Sequence, residues 1–185
     1  MKSPSLVQPI LRSAALGLLC SVPLLAGSAV LPAPLSSRAF ALSEQEANKA
    51  ALRQFYETIF NQHKLEMVSQ FIDPKAVDHD MPQGATMEQF QEMMGMWFEA
   101  FPDFKVTVLQ MAAEGDLVMC RIVQEGTFKG NLMGIAPNNK KIKLTSVDVI
   151  RFKNGKAIEH WSEWDRVSFM HQLDLKPEDL AKLGM

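Results

Sequence analysis

The hydrophobic period of this chain changes once, at Pro102-Asp103, and that change limits what it can fold into. Before it, Phe90, Met93, Met94, Trp97, Phe98 and Phe101 recur at helical spacing. After it, apolar and polar residues alternate, the mark of half-buried strands. Lys105 to Ala113, Leu117 to Thr127, Lys141 to Lys153 and Lys156 to about Asp165 read as four strands. Glu114-Gly115-Asp116 and Asn154-Gly155 supply tight turns, and Lys129 to Asn139 a longer loop. Helices first and an antiparallel meander afterwards signify an α+β domain. Long strands curl, and the apolar helices have only the sheet to pack against. The expected shape is a curved antiparallel sheet wrapped around the N-terminal helices, with a cone-shaped cavity between them.

Ser43 followed by Glu46 reads as a capping box. With Ala47, Ala50, Ala51, Phe55, Ile59 and Phe60 it predicts a helix from about Ser43 to Phe60. Asn61-Gln62-His63 breaks it. A short helix carrying Leu65, Val68 and Phe71 follows, and Asp73-Pro74 is expected to end it. Val77 to Asp80 reads as a short extended piece, and Met81 to Gly84 as a loop. Thr86 and Gln89 form a second capping box, at the start of the helix that Pro102-Asp103 closes. Short helices are expected over Val167 to Leu173 and from Pro177 onward.

The first forty-one residues contain Lys2, Arg12 and Arg38 and no acid. Leu16 to Leu31 is largely apolar but carries Pro23 and Gly27, and Ala39-Phe40-Ala41 is a small-x-small cut site. This is the layout of a secretory signal. The expected division is a signal over 1–41 and one domain over 42–185, secreted or periplasmic, with organelle targeting as the alternative. The broken apolar run falls short of the roughly 20 continuous residues of a membrane span, so no stable anchor is expected after cleavage. Leu19 before Cys20 makes a poor lipobox. The whole chain has formal charge −2, and removing the three leader cations leaves −5. A nucleic-acid partner needs clustered cations and is not expected. Cys120 is the one cysteine beyond the leader, so the domain must hold together by its core.

Several residues could carry chemistry in the cavity. Asp148 alternates with Ile142, Leu144, Ile150 and Phe152, on the same side as Ser146. A carboxylate in such company is either a paired buried acid or a general acid/base whose pKa the apolar site raises. Asp165 follows Trp161 and Glu163 at period two. In a regular strand Trp161 would form a pocket wall with Asp165 at its rim; alternatively Asp165 is the N-cap of the next helix. His160 would then face away with Ser162 and Trp164, unless a bulge exchanges the two faces. Either His160 or Glu163 therefore points inward. His79, between Asp78 and Asp80, is expected at the cavity mouth. Adjacent strand residues point to opposite faces, and no second His or Cys stands at ligand spacing, so no metal is expected. Met94, Trp97, Phe98 and Phe101 are expected to line the pocket. Met81, Met87, Met93 and Met96 add adaptable apolar surface. No phosphate loop, Gly-x-Ser-x-Gly or Cys-x-x-Cys occurs.

Several motifs then follow in an order that resembles a known family. They are Phe98-Glu99-Ala100-Phe101-Pro102-Asp103-Phe104, Glu114-Gly115-Asp116, Gly126-Thr127-Phe128-Lys129-Gly130 and Gly134-Ile135-Ala136-Pro137. Asp148-Val149-Ile150-Arg151-Phe152, Asn154-Gly155-Lys156, Ile158-Glu159-His160-Trp161 with Asp165, and Gln172-Leu173 complete the series. Together they resemble the SnoaL-like polyketide cyclases, also called ester cyclases, of the nuclear-transport-factor-2-like superfamily. The resemblance implies a cone-shaped α+β barrel, often dimeric through the sheet, and cofactor-free carbon–carbon bond formation. It also implies a general acid/base Asp near the end of the last strand, where Asp165 stands. Fold alone does not settle function.

Two functions follow for the pocket. One is a cyclase- or isomerase-like reaction on an apolar carbonyl compound; the other is a carrier that binds an apolar small molecule without chemistry. The outer face of the third strand, Lys143, Thr145, Val147, Val149 and Arg151, is mixed enough to pair two copies as a homodimer. The known cyclases act inside cells, so a secretory leader departs from their pattern; it bears on the polyketide substrate more than on the fold, and brings a pocket-binding role nearly level with the cyclase chemistry.

Overall fold

The computed structural model describes residues 35–183. The basic start and apolar centre of the expected signal lie outside the described residues. Helix α1 spans Leu35–Phe55 and starts earlier than the sequence predicts. No Gly or Pro interrupts that stretch, and Ala39 and Ala41 are strong helix formers, so the helix runs through the expected cut site. Ser43 is therefore not an N-cap. Its hydroxyl donates to the Phe40 carbonyl at 2.7 Å, while Glu46 pairs with Lys49 at 2.6 Å.

The end of this helix widens into a π-helical turn, Tyr56–Asn61. Such turns insert an extra residue and shift the faces beyond it. Asn61 anchors the turn to the sheet: its side chain accepts from Val106 N–H at 2.8 Å and donates to the Val106 carbonyl at 3.1 Å. A 3₁₀ segment, Leu65–Gln70, follows.

Strand β1, Ile72–Asp78, is longer and earlier than the expected extended piece. Asp73-Pro74 lies inside it rather than ending a helix. An edge strand tolerates proline because its missing N–H faces solvent, and Pro74 is exposed. Helix α2, Met87–Ala100, carries the predicted capping box in full: the Thr86 hydroxyl accepts from Gln89 N–H, and the Gln89 side chain accepts from Thr86 N–H.

Strands β2 (Lys105–Glu114), β3 (Leu117–Thr127), β4 (Lys141–Lys153) and β5 (Lys156–Trp164) form the antiparallel meander. The sheet order is β1-β5-β4-β3-β2, and β1 pairs in parallel with β5. The sheet is thus curved, open and five-stranded, with a parallel edge that the period of the sequence does not reveal. Helix α3, Arg166–Leu173, packs Phe169 and Leu173 into the core, and α4 covers Pro177–Lys182.

Strand β4 alternates along its length. Ile142, Leu144, Ser146, Asp148, Ile150 and Phe152 are buried, whereas Lys143, Thr145 and Val147 are exposed and Val149 and Arg151 half-buried on the outer face. At the helix end, Gly130 lies against α2, where an added Cβ would stand 2.1 Å from the Glu99 carbonyl oxygen. No helix of the described residues is long and apolar enough to cross a membrane.

Candidate functional site

The helices and the inner face of the sheet enclose a cavity of about 360 Å³. Helix α2 contributes Phe90, Met93, Met94 and Trp97, and the loop before it Met81. The sheet contributes Ile122, Leu144, Ile150 and Phe152. Two polar groupings interrupt this apolar lining.

The first is built on Asp148, which is buried at 6% exposure. Among the described residues no arginine pairs with it. The Tyr56 hydroxyl donates to Asp148 Oδ2 at 2.5 Å and the Ser162 hydroxyl to Oδ1 at 2.8 Å. The Tyr56 oxygen also lies 3.1 Å from Cys120 Sγ. Burial, then the Asp148 charge, pushes the Tyr56 pKa well above its ordinary value, so the phenol stays protonated as a donor. Burial likewise pushes the Cys120 thiol up to about 12, which makes it an inert core group.

The second grouping is built on His160. Its Nδ1 lies 3.2 Å from Asp78 Oδ1 and 3.9 Å from Asp80 Oδ2. Burial opposes a charge on the imidazole. The hydrogen bond to Asp78 and the charges of Asp78, Asp148 and Asp80 outweigh it, so the His160 pKa is raised. The same pair works on Asp78, where burial is overcome by the bond to His160 and the carboxyl pKa falls. Asp80 is raised, first by burial, with Asp78 and Asp148 as repelling neighbours.

Strand pairing explains which residues meet here. In the β4–β5 register Asp148 faces Ser162, Ile150 faces His160 and Ser146 faces Trp164. Cross-strand partners share a face, so His160, Ser162 and Trp164 are inward. A register shift at Arg151/Phe152 places the bulge at the start of β5. It exchanges the faces relative to a regular strand whose inward set includes Trp161, and so settles the choice between His160 and Glu163. Parallel pairing of Asp78 with His160 then brings in Asp78 and, just beyond the end of β1, Asp80.

Several expected positions are corrected. Glu163 is exposed on the outer side. Trp161 is on the outer face as well, stacked on His79 with ring centroids 4.8 Å apart. His79 is held there by Glu159 at 3.1 Å, so neither ring lines the cavity. Phe98 and Phe101 are core residues rather than lining. Phe101 is fully buried and stacks on Phe128, and Phe98 stacks on His63. Asp165 also stands away from the cavity. It is exposed and caps α3, accepting from Ser168 N–H at 2.8 Å and from the Ser168 hydroxyl at 2.6 Å. Those bonds lower its pKa, which suits a cap and not a proton donor at neutral pH.

The expectation against a metal rested on local spacing, and the fold supplies what spacing could not. Asp78, Asp80 and His160 place ligand atoms within 4.8 Å of one another. Two carboxylates and an imidazole are donors that a divalent ion accepts. The same geometry serves a hydrogen-bonded acid/base pair without one.

The family profile of the SnoaL-like polyketide cyclases matches residues 50–173, which hold both polar groupings and all of the cavity lining but Leu183. The chain belongs to the SnoaL-like polyketide cyclase family. Among solved structures, this SnoaL-like chain is similar to IdmH of Streptomyces antibioticus at 28% identity and TM-score 0.58, over 75% of this chain and 99% of that one. TsrD of Streptomyces laurentii shares the fold at TM-score 0.64 and 18% identity, over 70% and 96% of the two chains. A SnoaL-like polyketide cyclase of Agrobacterium tumefaciens does so at 0.55 and 18%, over 65% and 94%. No match is found among curated proteins.

Tyr56, Asp78 and Asp80 are the site residues that sequence reasoning missed as members of the SnoaL-like cavity. Tyr56 is the single tyrosine of the chain. A lone hydroxyl beside Phe55 on an apolar helix face was the available signal.

Proposed function

We propose that this SnoaL-like protein is a cofactor-free acid/base catalyst acting on an apolar carbonyl compound, in a cyclase- or isomerase-like reaction. The observation that carries the proposal is His160 Nδ1 against Asp78 at a cavity wall. The carboxylate fixes the ring through Nδ1, so Nε2 is the nitrogen left to exchange a proton with a ligand. Neutral His160 takes the proton α to the carbonyl. The imidazolium that results is stabilised by Asp78 and returns the proton to the rearranged product. His160 thereby replaces Asp165 as the proposed acid/base, with Asp78 as its positioning residue. Asp148, held by Tyr56 and Ser162, is the proposed second polar contact for the ligand.

The test is α-proton exchange of 1-tetralone in D2O, followed by NMR. The wild-type protein is expected to accelerate exchange over buffer, and His160→Gln to lose it by roughly 10²-fold, as for one general base. No acceleration by the wild-type protein would sink the catalytic reading.

The second reading is an exported carrier for an apolar small molecule. The methionines Met81, Met87, Met93 and Met94 of the lining favour it, since thioether side chains adapt to more than one ligand. The leader favours it too. Intact mass of protein secreted by its own host is expected to begin at Leu42, and a co-purifying ligand with no proton exchange would select this reading.

A further inference from the structure

The charge of the cavity wall limits what can enter it. Asp78, Asp80 and Asp148 all line the cavity, and His160 is the one basic group set among them. With the three acids ionised and the imidazole protonated, this cluster carries a formal excess of two negative charges, and Asp73 and Glu159 add two further acids to the lining. Arg166, the other basic lining residue, lies over the Trp164 ring at 5.7 Å. The carboxylates run inward from the exposed Asp80, through the half-buried Asp78, to the buried Asp148. Asp148 lies close enough for its charge to act on both His160 and Asp80.

An anionic ligand would meet this wall with like charge, at the dielectric of a partly closed site. A neutral ligand would leave the excess uncompensated. A cation would satisfy it, and the remaining lining suits a cation's substituents. Phe90, Trp97 and Trp164 present aromatic rings to the same space, and aromatic faces attract ammonium groups.

We propose that the cavity is selective for an apolar amine, whose ammonium group sits against Asp80 and Asp148 while its hydrocarbon part lies along the aromatic and methionine lining. This rests on the reading of the cavity as a ligand site and names the ligand's charge class. A substrate of the proposed reaction would then be an apolar carbonyl compound that also carries a basic nitrogen.

The experiment is displacement of the neutral fluorophore N-phenyl-1-naphthylamine by three ligands of one skeleton: 4-phenylbutylamine, 4-phenylbutan-1-ol and 4-phenylbutanoate. At about pH 7.5 the alkylamine is protonated, as lysine is. The amine is expected to displace the probe at roughly tenfold lower concentration than the alcohol, as one charge-assisted contact provides. The carboxylate is expected to be the weakest. Asp80→Asn is expected to cut the amine's advantage over the alcohol roughly threefold or more. Equal displacement by all three ligands, or tightest displacement by the carboxylate, would overturn the proposal and leave the cavity reading standing. Failure of the fluorophore to bind would overturn both. Zn²⁺ binding that abolishes the amine's advantage would assign Asp78, Asp80 and His160 to a metal and overturn it as well.

Discussion

Replacing Tyr56 by Phe removes one oxygen from the most buried polar contact of the cavity. The phenol donates to Asp148 at 2.5 Å and touches Cys120 Sγ at 3.1 Å. The ring itself is unchanged, so packing against Phe55 and Phe60 is kept. What is lost is a hydrogen bond to a charged acceptor, about 1.5–3 kcal/mol. Asp148 would retain only the Ser162 hydroxyl. A domain of this size shifts its Tm by about 2–4 °C per kcal/mol, so Tyr56→Phe is expected to melt roughly 3–12 °C lower. Asp148→Asn and the double variant complete a cycle measured by urea unfolding. Residues in direct contact should couple by about 0.5–3 kcal/mol. Additive losses within about 0.3 kcal/mol would refute the claim that Tyr56 acts through Asp148.

The His160–Asp78 pair sets a pH window for stability. The raised His160 pKa stabilises the fold fully below the ordinary histidine value of about 6.5, and this contribution is lost as pH rises through the folded pKa. The lowered Asp78 pKa contributes above the ordinary aspartate value of about 3.9 and is lost as pH falls through the folded pKa. The contribution should thus be largest between about pH 4 and 6.5, and a wild-type minus His160→Asn difference in urea midpoint that rises steadily above pH 7 contradicts it. Asp165→Ala should cost about 1 kcal/mol, the worth of an N-cap, with ligand displacement unchanged; lost proton exchange in a folded Asp165→Ala protein would restore its catalytic role. Gly130→Ala must push its Cβ into the Glu99 carbonyl, and should destabilise by about 1–3 kcal/mol as an overpacked site; a wild-type melting curve would show that the helix end yields freely.

Local patterning carried much of the fold. The Thr86–Gln89 box lies within one turn of chain, and both of its bonds form. The bounds of β3 and β4 could be read because strict alternation and turn residues are adjacent in sequence. The inward position of Asp148 follows from the same alternation, since side chains in a strand alternate faces. Ser43 misled because a capping box is also compatible with a helix interior when good helix formers precede it.

The chemistry of the site lay beyond that local information. One extra residue at the start of β5 decides whether His160 or Glu163 turns inward, and a bulge leaves no periodic trace in nine residues of strand. The pairing of Asp78 with His160 joins segments from opposite ends of the domain through a parallel edge, and the approach of Tyr56 to Asp148 depends on a widened helical turn held by Asn61. The sequence by itself determined the α+β class, the helix start at Thr86 and the face of Asp148, because near neighbours encode period. Only the tertiary structure decided which acids surround His160, because strand register and helix rotation are set by packing between distant segments.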